Sequence, residues 1–156
     1  MTPRQLCPSS RQRGFTLIEL MVTLSVMIVM LGIAVPTFKN FTATQRVKAV
    51  AEDVATSLLL ARSEAVKRNK PVTIAPVTAG DWTSGWTVKE TAIVLDQKNA
   101  VNDLAITAPA TVSFQPNGGV AAAASIQVGS TVTADAKRCV KVDLTGIPST
   151  TSGACS

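Results

Sequence analysis

Apolar side chains fill residues 15–35 almost without a break, and the pattern then changes twice along the chain. Within that run the only charged residue is Glu19. At about 1.5 Å per residue, a helix over this run is long enough to cross a hydrocarbon core of about 30 Å. Pro36 follows; it has no amide hydrogen and crowds the turn before it, so with Gly32 it predicts a bent or softened stretch. Next, Val47, Val50, Val54, Leu58, Ala61 and Ala65 recur at spacings of three and four, the pattern of a helix with one buried stripe. Arg46, Lys48, Glu52, Asp53, Arg62, Glu64, Lys67 and Arg68 fill much of its remaining surface. One helix from about Thr16 to about Arg68 would be roughly 80 Å long. Asn69-Lys70-Pro71 should end it, because the residue before a proline avoids the helical region.

From Pro71 onward the period is two. Strands are predicted around Val72–Ala75, Trp86–Lys89, Ala92–Leu95, Leu104–Ile106, Thr111–Phe114, Ser125–Val128 and Arg138–Asp143. Gly80-Asp81, Ser84-Gly85, Pro116-Asn117-Gly118-Gly119, Gly129-Ser130 and Thr145-Gly146 read as turns between them. Short gaps favour antiparallel pairing, since parallel neighbours need long crossovers. The expected fold class is α+β: a long, kinked N-terminal helix, transmembrane in its first half, packed through its second half on a head of one or two small antiparallel sheets. Four segments follow: residues 1–14, 15–35, 36–70 and 71–156.

Glu19 changes this picture. A bare carboxylate in hydrocarbon costs at least about 2.5–3.5 kcal/mol, so one found there usually has work to do, such as pairing with a positive charge on a neighbouring chain. An ordinary secretory signal has its cleavage site after the apolar run; here Gly14 precedes the run and no small-residue site follows it. A plain membrane anchor fits the length but leaves Glu19 and the Gly14–Phe15 junction without a role.

The stretch Arg13-Gly14-Phe15-Thr16-Leu17-Ile18-Glu19-Leu20 resembles the type III signal of type IV pilins and of the pseudopilins of type II secretion. That resemblance implies that a prepilin peptidase cuts between Gly14 and Phe15 and releases residues 1–14 as a leader. It further implies that the new Phe15 amine is methylated, and that Glu19 compensates that amine on an adjacent subunit. Three later passages resemble the FimT/GspH group of minor pilins and pseudopilins. They are Ala61–Thr73 at the helix end, Asp81-Trp82 with Gly85-Trp86-Thr87-Val88, and Phe114-Gln115-Pro116-Asn117-Gly118.

Arginines before the apolar run orient the N-terminus inward, giving an inner-membrane, single-pass chain with a periplasmic head that later enters a pilus or pseudopilus. Of the 3 cysteines, Cys7 would leave with the leader. In an oxidising periplasm Cys139 and Cys155 then either form a disulfide, worth about 3 kcal/mol for a loop of this size, or remain two thiols. The even count in that compartment favours the bond, and the pair in turn favours a pilus minor pilin of the FimU kind, since such a staple resembles what pilin heads carry. Losing residues 1–14 also removes Arg4, Arg11 and Arg13 and no acid, which lowers the formal charge from +5 to +2 and weakens any argument from basicity.

FimT-like DNA receptors carry a G-R-x-R motif near the C-terminus; here the comparable place reads Gly146-Ile147-Pro148-Ser149, without either arginine. Lys137, Arg138 and Lys141 lie just upstream and are the residues that a DNA-binding role would use, with Arg68 and Lys70 as further candidates. Bland alternatives stand beside these readings: Arg62, Lys67, Arg68 and Lys70 as a solvated helix end, Trp82 and Trp86 as packing residues, and the Pro116–Gly119 stretch as a plain turn.

Catalysis has little to work with. The chain has no histidine, its aspartates lie scattered among turns, and Gly118-Gly119 lacks the lysine of a phosphate loop. No metal and no cofactor is expected. The expected function is therefore that of a minor type IV pilin, FimT/FimU-like, which assembles through its helix with other major and minor pilins and supports pilus biogenesis, twitching or adhesion. The alternatives are a GspH-like minor pseudopilin of the type II secretion system and a DNA-binding pilin for transformation.

Overall fold

The computed structural model describes residues 14–155; inside the first helix, the side chains of residues 33–36 also lie outside the description. Of the expected leader, residues 1–13 therefore fall outside it, with Arg4, Cys7, Arg11 and Arg13 among them. The chain divides into two units between Phe38 and Lys39.

One helix, α1 (Leu17–Arg68), runs through both units, Pro36 included. The softening expected at Gly32 and Pro36 falls largely on residues 33–36. The helix ends as Asn69-Lys70-Pro71 predicts: Asn69 takes a left-handed conformation (φ 52°). Its amide donates to the Val66 carbonyl at 3.3 Å, and the Lys70 amide to the Ala65 carbonyl at 3.2 Å. These two bonds satisfy carbonyls that the last helical turn would otherwise leave open.

The head holds two four-stranded antiparallel sheets. The first contains β1 (Val72–Thr78), β2 (Asp81–Glu90), β3 (Ile93–Lys98) and β5 (Val112–Phe114), in the order β3-β2-β1-β5. The second contains β4 (Leu104–Thr107), β6 (Ala124–Ser130), β7 (Lys137–Val142) and β8 (Pro148–Ser152), in the order β4-β6-β7-β8. The helical stripe read from the sequence is the stripe that is buried: Val47, Val50, Val54, Leu58, Ala61 and Ala65 all belong to the core, joined by Ala51. They meet Val72 and Ile74 of β1, Trp82, Trp86 and Val88 of β2, Phe114 of β5, and Ile126, Val128, Val140 and Val142 of β6 and β7. Arg46 to Asp103 (2.7 Å) and Thr133 to Asn40 (3.1 Å) tie loops of the head to the start of its helix.

Two expectations need correction. Ser84-Gly85 is not a turn; it lies within β2, where the pairing with β1 jumps from Pro76↔Trp86 to Thr78↔Asp81. Gly85 takes φ 92°, and a Cβ there would run into the backbone of Lys98 and Asn99, so a bulge and a close approach explain this glycine. Gly129-Ser130 likewise ends β6, with Gly129 paired to Lys137. One strand, β8, carries no apolar alternation and was not predicted. It is an edge strand that starts on a proline and is largely exposed, which suits a polar sequence.

Candidate assembly site

At the start of α1, Thr16 acts as the cap: its Oγ1 accepts the Glu19 amide at 3.3 Å, and its carbonyl accepts the Leu20 amide at 3.1 Å. Thr16-Leu17-Ile18-Glu19 has the spacing of a capping box, and Glu19 sits in the first turn, where the helix dipole favours a negative charge. Phe15, Leu17 and Ile18 are each more than 70% exposed, and Met21, Leu24, Met27, Ile28 and Leu31 are at least half exposed. An apolar helix with no cover on any side is stable only in lipid or against other apolar helices. Leu17–Gly32 alone falls short of a full membrane span; taken together with Thr37–Arg68 it meets the length and composition of one. The expected assembly segment, residues 15–35, thus ends among residues whose side chains are outside the description.

At the other end of α1, the basic residues do more than face solvent. Glu90, at the end of β2, has a side chain only 6% exposed and accepts Arg68 at 3.0 Å and Lys70 at 2.7 Å. Arg68 also binds Glu64, one helical turn back. The Lys70 and Arg68 contacts hold the Glu90 carboxyl below its ordinary value, and the Arg68 hydrogen bond does the same for Glu64. This clamp fastens the helix end to β2. Sequence reading missed Glu90; its only signal was an acid closing a strand otherwise directed at the core.

Arg62 is also committed: its Nε donates to the Gly118 carbonyl at 3.0 Å. The Pro116–Gly119 stretch is a turn, as its bland reading held, but one docked on the helix. Trp82 and Trp86 are packing residues. Both are 1% exposed, with ring centroids 6.4 Å apart. The Trp82 indole donates to the Pro109 carbonyl at 3.0 Å and the Trp86 indole to the Ser57 hydroxyl at 3.0 Å, so both rings are buried without an orphaned N–H.

Lys137, Arg138 and Lys141 all lie on β7, but the two-residue period splits them. Lys137 and Lys141 share the face of Cys139, while Arg138 falls on the face of Val140 and Val142. Arg68 and Lys70, the further candidates for DNA, are held by Glu90. Cys139 and Cys155 form the disulfide, with Cα atoms 5.1 Å apart. It draws the C-terminal tail over that outer face, where the Cys155 amide donates to the Gln127 side-chain carbonyl at 3.1 Å.

An uncovered apolar helix continuing into the spine of a two-sheet head defines the pilin-like fold. Residues 50–146 match the family described as Type II transport protein GspH, and residues 9–35 match the Prokaryotic N-terminal methylation motif. The chain belongs to the GspH family. Among solved structures, it resembles the type IV minor pilin FimU of Pseudomonas aeruginosa in two crystal forms. One matches at 20% identity and a TM-score of 0.61, over 70% of this chain and 90% of that one. The other matches at 19% identity and a TM-score of 0.59, over 67% and 91%. No curated protein matches in sequence.

Proposed function

We propose that this chain is a minor pilin that enters a type IV pilus, or its priming or tip complex, through its N-terminal helix. The observation that carries this reading is the fully uncovered apolar start of α1, bearing one carboxylate and joined to a head of FimU-like fold. A prepilin peptidase cuts between Gly14 and Phe15 at the cytoplasmic face of the inner membrane, and the Phe15 amine is methylated. The processed chain waits as a single-pass protein with its head in the periplasm. Pairing Glu19 with the Phe15 amine of a neighbouring pilin then cancels two charges that are costly in lipid and fixes the register between helices. Packing of Phe15, Leu17, Ile18, Met21, Leu24 and Ile28 supplies most of the association.

Glu19→Ala tests this: the variant should be cleaved normally and fail to enter filaments, and normal incorporation would refute the mechanism. Gly14→Val should leave the precursor uncut. The match to the GspH family favours a second reading, a minor pseudopilin of type II secretion. Deleting the chain separates the two, since loss of twitching marks the pilus and loss of protein export marks the secretion system. A DNA-binding role draws less support, because β7 does not gather Lys137, Arg138 and Lys141 on one face.

A further inference from the structure

The loop between β6 and β7, residues 131–136, lies at the end of the head where its helix begins. Ser130 organises it: the Ser130 hydroxyl accepts the amides of Val132 (3.0 Å) and Thr133 (3.2 Å), and the Ser130 amide donates to the Ala136 carbonyl at 3.0 Å. Two ties fasten the loop to the helix. The Thr133 hydroxyl donates to the Asn40 side-chain carbonyl at 3.1 Å. The Thr131 amide donates to the carbonyl of Asp103 at 3.1 Å, and the Asp103 carboxylate accepts Arg46 at 2.7 Å. Held this firmly, the loop still leaves Val132 57% exposed, and Phe41, the chain neighbour of Asn40, is 59% exposed.

Charge at this end is balanced except at one residue. Arg46 is taken by Asp103 and Lys48 by Glu52, and Asp135 of the loop is followed by Lys137. Lys39 is exposed and meets no acid among the described residues, so it leaves a surplus positive charge. What lies against this surface follows from the reach of the chain. Asn40 stands five residues beyond Val35, where the apolar run ends. Five residues span about 7.5 Å as helix and at most about 18 Å fully extended. The headgroup layer on each side of a bilayer is about 5–8 Å deep. With residues 15–35 in the hydrocarbon core, Asn40 and the loop tied to it stay in that layer or just outside it.

We infer that residues 131–136, with Lys39 and Phe41, form a foot that binds the lipid headgroup layer of the membrane holding the helix. Val132 and Phe41 enter the boundary between headgroups and acyl chains, and Lys39 donates to lipid phosphate. Because the ties to Asn40 and Arg46 shape the loop beforehand, little freedom is lost on binding. Place disfavours a protein occupant, which would have to displace the lipid that already fills these few ångströms. The foot steadies the head on the bilayer while the chain awaits assembly, and the contact breaks when the helix leaves lipid. The inference rests on the reading that residues 15–35 lie in a membrane.

The test places the full-length chain in nanodiscs of phosphatidylethanolamine and phosphatidylglycerol, with a fluorescent residue at position 132, 144 or 24 in separate preparations. A nitroxide on some of the headgroups reports contact at the surface, and bromine on the acyl chains reports burial in the core. Position 144 is the control: the Leu144 carbonyl accepts the Val120 amide beside the Gly118 turn docked on Arg62, about 33 Å along the helix from Asn40. The nitroxide should quench position 132 at least threefold more strongly than position 144. Lys39→Glu with Phe41→Ser, both at exposed sites, should cut quenching at 132 at least twofold and leave the urea midpoint of the head unchanged. Equal quenching at 132 and 144 would overturn the foot. So would strong quenching at 132 that the double substitution leaves intact, since the loop would then lie near lipid without binding it. Position 24 keeps the two ideas apart. If bromine quenches it while the nitroxide spares position 132, only the foot falls; if bromine spares it, the membrane reading falls and the foot with it.

Discussion

The two units of this chain solve the problem of apolar surface in opposite ways. In the head, the apolar face of α1 from Val47 to Ala65 is buried by two sheets, and both tryptophan N–H groups find partners inside. In the first unit, side chains as large as Phe15, Leu17 and Met21 have no cover in the chain itself. The head is complete as a monomer; the helix before it is complete only in company. Substitutions should therefore sort cleanly, with head changes altering stability and helix changes altering assembly.

The strongest attempt to break that division is Trp86→Ala. It empties a fully buried site and leaves the Ser57 hydroxyl without its partner. The head should lose about 3–5 kcal/mol, read as a lower urea midpoint of the full chain in detergent. A loss below about 1 kcal/mol would mean that the ring is not the keystone its burial implies. Replacing Cys139 and Cys155 together by serine comes next, at about 3 kcal/mol in the same assay, because the bond closes a loop across 16 positions. Leader cleavage should not change in either variant.

How much of this was legible follows from where each element gets its stability. The helical stripe and the early strands bury their own side chains, so their periods of 3.6 and 2 are written in the residues. Asn69-Lys70-Pro71 is local chemistry and could be read in place. β8 could not, because an edge strand of Ser and Thr is held by its pairing to β7 rather than by burial. Ser84-Gly85 has the composition of a turn, and only the neighbouring backbone of Lys98 and Asn99 shows why the glycine sits inside a strand. The Glu90 clamp joins residues about twenty positions apart through tertiary contact, which no local pattern encodes. Glu19 stands at the other extreme: a charge alone in an apolar run is conspicuous from its neighbours in the chain.

The clamp also gives the head an acid limb. Glu64 and Glu90 hold their protons less tightly when folded, through Arg68 and Lys70. The stability they contribute is complete above their ordinary value of 4.5 and is lost as pH falls through the depressed folded values. Thermal melts of the full chain from pH 7 down to about 3 should show a falling midpoint. Glu90→Gln should start lower at pH 7 and fall less steeply. An equally steep fall would assign the acid limb to other carboxylates.

The smallest effect tests the other unit. Thr16 caps α1 through one hydrogen bond to the Glu19 amide, and such a cap is worth about 1 kcal/mol of local helix stability. Thr16→Ala should therefore fray the first turn, seen as faster amide exchange at residues 17–20 in detergent, with the head's urea midpoint unchanged. Because Glu19 occupies that turn, a frayed start also loosens the position of the carboxylate relative to a neighbour's amine, and incorporation should fall severalfold without being abolished. Thr16→Ser, which keeps the hydroxyl, should restore both readings. If the alanine variant exchanges at the normal rate but still assembles poorly, Thr16 touches the partner directly. If it moves the head's midpoint, the two units are not independent, and the division drawn between them fails.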